Sequence, residues 1–338
     1  MNIQTHKDLI SEKEYIEYIN KKKDRNENNC KYDVLEKLFK NYNHIYPKTD
    51  SNTQIQTLVH EIMKSKNIYY LSNITTLICN FIPFENSLEL IEELKSSKKM
   101  SDLDVIKYME SHRKKNFKKD TTFSPEIKCN PELYGLQNLT NNIKKYIKKI
   151  KNPNYLDLCC GDGRKTLLVS KMLNFKDTNV HGTDIKIWGP YKKNRALPFN
   201  FKFILENGNL DYPDNSFDIM TCILSLHHIE NLTHILMEIK RVLKPNGIFI
   251  LIEHDNYTYF DAMIIEIQHT LFAFFYDNNK DYIKNPLYSR YFNNMEWEFI
   301  MDKDAFKLLD SGTYINNISD SKRYDQQFYA IYKNSNKK

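Results

Sequence analysis

Three groups of residues in this 338-residue chain have types and spacings that could do chemistry. Tyr155-Leu-Asp-Leu-Cys-Cys-Gly-Asp-Gly-Arg-Lys165 reads as a short apolar strand running into a glycine turn. Gly161 and Gly163 permit a sharp bend and let the backbone approach a ligand that a Cβ would exclude. The helix that follows carries Leu167, Leu168, Met172 and Leu173 on its inner face, so its N-terminal amides point at whatever sits over the turn. A second strand, Thr178 to Asp184, closes on an acid 21 residues after Gly163. A carboxylate there can accept both hydrogen bonds of a ribose diol. The remaining groups, His227-His228 and Glu253-His254-Asp255, each end a strand. Histidine takes up a proton near neutral pH and can serve as a base. The trio stands at the carboxyl edge of a parallel strand, where open α/β sheets hold their ligands. The other reading of the trio is a cap on a helix that starts near Tyr259.

These residues need strands to carry them, and the sequence supplies the strands in order. After the first two come Phe201–Glu206, closing on another acid, and Ile219–Ser225, leading into Leu226-His-His-Ile229. A helix carrying Ile239-Lys-Arg-Val-Leu-Lys-Pro-Asn-Gly247 then feeds Ile248–Glu253. Further on the pattern predicts an apolar helix over 260–276, a helix over 302–309, and strands near 313–318 and over 326–332. Residues 1–125 read as five or six short amphipathic helices with no strand alternation, and 123–139, with Pro125, Pro131 and Gly135, as irregular chain.

In their order, D-x-x-C-G-x-G, P-x-x-S-F-D, L-H-H and R-V-L-K-P-N-G resemble the class I S-adenosylmethionine-dependent methyltransferases, the ubiquinone/menaquinone-type branch above all. The resemblance covers roughly residues 134–255. It implies an α/β fold, a Rossmann-like seven-stranded, mostly parallel sheet with helices on both faces, here preceded by an all-α N-terminal domain. It implies S-adenosyl-L-methionine as cofactor. Asp157, Cys159, Gly161 and Gly163 would line its methionine end and Asp184 would hold the ribose. Glu206 and the Asn207 amide would meet the adenine, Leu224 and Ser225 would floor the pocket, and Tyr134 would belong to a lid or pack the domain junction. Cys159 and Asn246 stand where many members have glycine. The His227-His228 pair is a common structural signature of the branch. That leaves His228, Glu253, His254 and Asp255 as the catalytic candidates, without deciding between base and structural roles. The domains are accordingly 1–125, helical; 126–150, linker or lid and pre-strand helix; and 151–334, the methyltransferase domain.

Composition bounds the rest. The apolar fraction of 41% supports a packed core, and the net charge of +6 permits a polyanionic partner without requiring one. Six cysteines without a C-x-x-C pair point to no metal site and no disulfide framework, hence a reducing, cytoplasmic setting. No apolar run is long enough to span a membrane. Arg113, Lys114, Lys115, Lys118 and Lys119, with Phe117 among them, read either as a phosphate contact or as a solvated helix end. The sequence thus predicts a methyltransferase whose acceptor is a macromolecule, RNA before protein. The alternatives are a small-molecule enzyme and a non-catalytic scaffold or RNA-binding subunit. Acceptor atom, oligomeric state and pathway are not encoded in any motif.

Overall fold

Stretches of 4 to 12 residues become the strands of one sheet in the computed structural model. The structure describes residues 10–23, 84–96, 107, 108, 111, 131–187, 197–257, 261, 262, 265, 268, 269, 288–314 and 326–335. The strands are β1 (Tyr155–Leu158), β2 (Val180–Asp184), β3 (Asn200–Phe203), β4 (Phe217–Ile223), β5 (Leu243–His254), β6 (Phe306–Tyr314) and β7 (Gln327–Asn334). Their order is β3-β2-β1-β4-β5-β7-β6. The pairs from β3 to β5 are parallel, and β7 runs antiparallel to both β5 and β6. Ile248 to Ile252 are at most 4% exposed, as central parallel strands covered on both faces require. The expected seven-stranded, mostly parallel α/β sheet is present.

The described α-helices are α1 (Glu12–Lys23), α2 (Phe84–Ser96), α3 (Pro131–Ile147), α4 (Arg164–Met172), α5 (Leu232–Val242) and α6 (Asn294–Lys303). One apolar cluster, with Leu236, Ile239, Phe249, Trp297 and Phe306, covers one face of the sheet. The other, with Leu139, Ile143, Val169, Ile219 and Ile250, covers the opposite face. Asn231 caps α5 through His234 N, and Asn293 with Glu296 forms a capping box at the start of α6.

Two expectations are corrected. Pro131 opens α3, so the irregular stretch ends there rather than at 139; proline's fixed φ suits the first helical position. The helix expected over 302–309 ends at Lys303 instead, and Phe306 to Leu309 lie in β6, which pairs along β7. Ala305, at φ 63, makes the break. The strand expected near 313–318 is the end of that same β6. By contact the chain forms two compact units. One comprises 1–46, 127–257 and 288–338, the other 47–126 and 258–287. In the first, Tyr15 and Tyr18 of α1 meet Phe299 of α6 edge-on at 5.5 and 5.4 Å, which binds α1 to the sheet-bearing unit. In the second, α2 buries Ser87, Leu90 and Ile91.

Candidate functional site

β1 pairs with β2 on one side and β4 on the other, so the strand order reverses at its carboxyl end. That is where open α/β sheets bind ligands. The glycines of the turn there do different work. At Gly161, φ 58, an added Cβ would meet nothing within 4 Å, leaving room for a ligand against the backbone. At Gly163, φ 74, it would come within 2.5 Å of the Phe199 ring. Gly163 caps α4 and is needed for packing. Gly182 of β2 accepts the other edge of the same ring, where a Cβ would also lie 2.5 Å away. Sequence reasoning missed Phe199 and Gly182, whose contacts cross from a loop to a strand.

Asp184 ends β2 beside this turn. Its carboxylate accepts the Gly161 amide at 2.9 Å and the Ile185 amide at 2.7 Å. The open cradle at Gly161, the α4 N-terminus and this carboxylate fit a nucleoside-bearing cofactor. Asp157 takes another role than expected. It is 2% exposed, and its two oxygens accept the Thr166 and Thr221 hydroxyls, each at 2.6 Å. With the Thr221 proton directed at Asp157, the Tyr155 hydroxyl 2.7 Å from Thr221 is the donor in that pair. Asp157 therefore ties β1, β4 and α4 together beneath the turn rather than lining the ligand cavity. Burial pushes its carboxyl up to about 6, against the opposing pull of both threonine hydroxyls. Cys159, half-buried at φ 56, completes the turn.

Glu206 and Asn207 are exposed in the turn after β3, which the Ile204–Leu210 bridge closes. The Arg241 guanidinium fixes the following segment. It donates to the Leu210 carbonyl at 2.9 Å and the Tyr212 carbonyl at 2.7 Å, and pairs with Glu238 and Asp214. Glu238 also accepts the Leu210 amide. The arginine of R-V-L-K-P is thus a brace for the loop between β3 and β4.

On the other side of β1 lies the turn after β4. Leu224, at φ 53, donates its amide to Ile252, and Ser225 follows. The Glu253 side chain holds this turn from β5. One oxygen accepts the Ser225 amide at 3.0 Å and the His227 amide at 3.3 Å; the other lies 2.6 Å from His227 Nδ1. Glu253 is 1% exposed, with its carboxyl raised by burial. These contacts make it a clamp rather than an acid or base facing a substrate. Asp255 is corrected likewise. It accepts the Asn294 amide at 2.8 Å and the Tyr257 hydroxyl at 3.3 Å, so it secures the first turn of α6 instead of the expected helix near Tyr259. His254 is 4% exposed, with its ring 4.8 Å from that of His227 and 5.8 Å from that of Tyr291.

His228 is the half-exposed member of the group. Its Nδ1 lies 2.8 Å from the Tyr288 carbonyl. A carbonyl only accepts, so Nδ1 carries the proton and the neutral ring has its lone pair on Nε2. The segment 288–293 supports this turn throughout. Arg290 donates its amide to the His227 carbonyl at 2.8 Å and Nη2 to the Glu230 carbonyl, and its guanidinium also bonds the Tyr288 hydroxyl. No sequence motif marked this segment, because irregular chain carries no periodicity.

Structure thus brings Gly161, Asp184, Leu224, Ser225 and His228 to the carboxyl ends of β1, β2 and β4. It sets Asp157, Glu253, His254 and Asp255 behind them. Tyr134 falls in α3, with its side chain outside the described residues, as are Arg113, Lys114, Lys115, Lys118 and Lys119. Ligand atoms of His227, Glu253 and His254 lie within 4.8 Å of one another, but the 2.6 Å contact between two of them is hydrogen-bond length. Among the described residues no helix is long and apolar enough to cross a membrane.

Residues 156–251 match the family described as a methyltransferase domain. The demethylmenaquinone methyltransferase of Lactobacillus johnsonii is 36% identical over 113 residues, 31% of this chain and 46% of that protein. The Geobacillus stearothermophilus enzyme of the same name is 33% identical over 116 residues, 32% of this chain and 49% of its own length. The chain therefore spans about half the length of the curated relatives it matches. The Burkholderia thailandensis 1,6-didemethyltoxoflavin-N1-methyltransferase, solved with S-adenosylhomocysteine, is 14% identical with a TM-score of 0.42, covering 60% of this chain and 79% of that one.

Proposed function

We propose, from the premise that residues 156–251 form a class I S-adenosylmethionine-dependent methyltransferase domain, that this chain methylates a small organic acceptor. The observation that carries the cofactor assignment is the junction of Gly161 and Asp184. Open backbone and a carboxylate meet there at the carboxyl ends of adjacent strands. Gly161, the α4 N-terminus and Asp184 would hold S-adenosylmethionine, with Ser225 and Leu224 beneath it. When bound, the cofactor supplies an electrophilic methyl group. The chain's own residues supply position and a water-poor wall. In this reading His228 would take a proton from an acceptor hydroxyl or acidic carbon through Nε2, with the Tyr288 carbonyl holding the ring's orientation.

A small acceptor replaces the RNA expected from the sequence. The curated relatives are named for demethylmenaquinone, and the basic run on which the RNA reading rested lies outside the described residues.

Calorimetry with S-adenosylmethionine and a methyl-transfer screen over hydroquinones and phenols test this reading. Asp184→Ala should weaken cofactor binding by about 1.5–3 kcal/mol, the range for hydrogen bonds to a charged group. His228→Ala should lower turnover by about 10²–10⁴ with cofactor affinity kept. Wild-type affinity in a folded Asp184→Ala protein would sink the cofactor assignment. Transfer to RNA alone would sink the acceptor class.

A further inference from the structure

We propose that Cys159 and Cys222 are a redox pair whose disulfide closes the cofactor turn. Cys222 lies in β4 at the position paired with Leu158, the last residue of β1, and is fully buried. Cys159 follows Leu158 directly. In a continuing strand, period-two alternation would send its side chain to the face opposite Leu158. Its left-handed backbone, φ 56, turns it back instead. Cys159 therefore packs on the apolar cluster that contains Leu158 and Cys222. Its side chain and the Cys222 thiol thus face one cluster from neighbouring positions on adjacent strands. Cys160, next in sequence, belongs to the cluster on the opposite face and is turned away from both.

The backbone cost makes this choice of residue informative. A non-glycine residue in the left-handed region costs of order 1–2 kcal/mol, and cysteine has no side-chain feature that offsets it as asparagine's does. Glycine would do the same turn without strain. What cysteine adds is a thiol beside a second thiol. Adjacent parallel strands lie about 4.8 Å apart, so a position one residue past the paired one falls within the roughly 4.4–6.8 Å that a disulfide spans between Cα atoms.

Cys159 is half-buried in the turn, whereas Cys222 is enclosed and burial holds it as the neutral thiol. A peroxide would therefore meet Cys159 first. Its sulfur attacks the peroxide, giving a sulfenic acid and one water. Cys222 then attacks that sulfur, its proton leaving with the hydroxyl as a second water. Two thiols and one hydrogen peroxide yield one disulfide and two waters, and a dithiol reductant reverses the step. The bond would draw the start of the turn toward β4, against the Cys160–Thr183 and Gly161–Asp184 hydrogen bonds that shape the cofactor cradle.

Only the effect on binding rests on the methyltransferase reading; the disulfide does not. Full-length protein is treated with hydrogen peroxide, alkylated, digested without reduction and examined by mass spectrometry. A peptide cross-linked between Cys159 and Cys222 is expected, lost in Cys222→Ala and in the better volume-matched Cys222→Val. In parallel, calorimetry with S-adenosylhomocysteine should show at least about tenfold weaker binding after oxidation, restored by dithiothreitol and absent in the Cys222 variants. A Cys159–Cys160 link, or Cys222 still alkylatable after unfolding, overturns the pair. A cross-link that leaves affinity unchanged overturns its control of the turn. Reduced protein that fails to bind, yet still cross-links, instead refutes the methyltransferase reading and leaves the pair standing.

Discussion

At the scale of single residues, three buried carboxylates at or near strand ends differ in how visible they are in the sequence. The place of Asp184 was legible because a strand that closes on an acid after a glycine turn is a local pattern. The roles of Asp157 and Glu253 were not, since their partners come from other elements: Thr166 and Thr221 for one, Ser225 and His227 for the other. Asp157 has a measurable consequence. Burial raises its carboxyl from 3.8 to about 6, so the folded state holds that proton more tightly than the unfolded one. Its contribution to stability is fully present below pH 3.8 and is lost as pH rises through 6. The shift corresponds to about 3 kcal/mol at 1.36 kcal/mol per unit. Glu253, also raised by burial, adds to the same slope. Asp157→Asn should remove its part, so the stability of the variant relative to wild type, by urea unfolding, should rise between pH 4 and 7.5. Parallel curves for the two proteins would show that Asp157 does not titrate there.

At the scale of elements, the glycine turn is legible in the sequence as a feature but its division of labour is not. Sequence reasoning gave both glycines the same purpose, close approach of a ligand. Only Gly161 faces open space, whereas Gly163 and Gly182 hold the two edges of Phe199. The distinction depends on a phenylalanine from the segment before β3, and nothing in the local pattern places it there. Gly163→Ala should therefore unfold the turn from within, through the Phe199 clash and the left-handed φ together. The expected loss is about 1–3 kcal/mol, the range for overpacking. Phe199→Leu should recover part of it, because the colliding atoms are the ring's Cε1 and Cζ. A double-mutant cycle reads the coupling directly. Additive losses would mean that the ring moves aside and that Gly163 serves the ligand after all.

At the scale of the whole molecule, the parallel sheet was legible because its motifs are local and follow each other in chain order. The packing partner of α1 was not, because helical periodicity shows that α1 has an apolar face without showing what covers it. Composition made residues 1–125 look uniform, yet α1 packs on α6 of the sheet-bearing unit. Ile10, Tyr15 and Ile19 are at most 2% exposed, and Lys303 reaches Glu14 at 3.1 Å. The surface ion pair contributes little. The three apolar side chains are worth about 1.5–3 kcal/mol each on burial. A sheet-bearing unit cut at residue 127 would then expose the Phe299 ring that Tyr15 and Tyr18 pack against. Ile19→Ala in the full chain should cost about 2–5 kcal/mol, the range for emptying a core site. The loss should appear in the same cooperative transition as a core change such as Ile250→Val, since both residues belong to one unit. An Ile19→Ala protein whose sheet melts at the wild-type temperature, with only a separate early transition altered, would place α1 outside that unit and support the boundary read from the sequence.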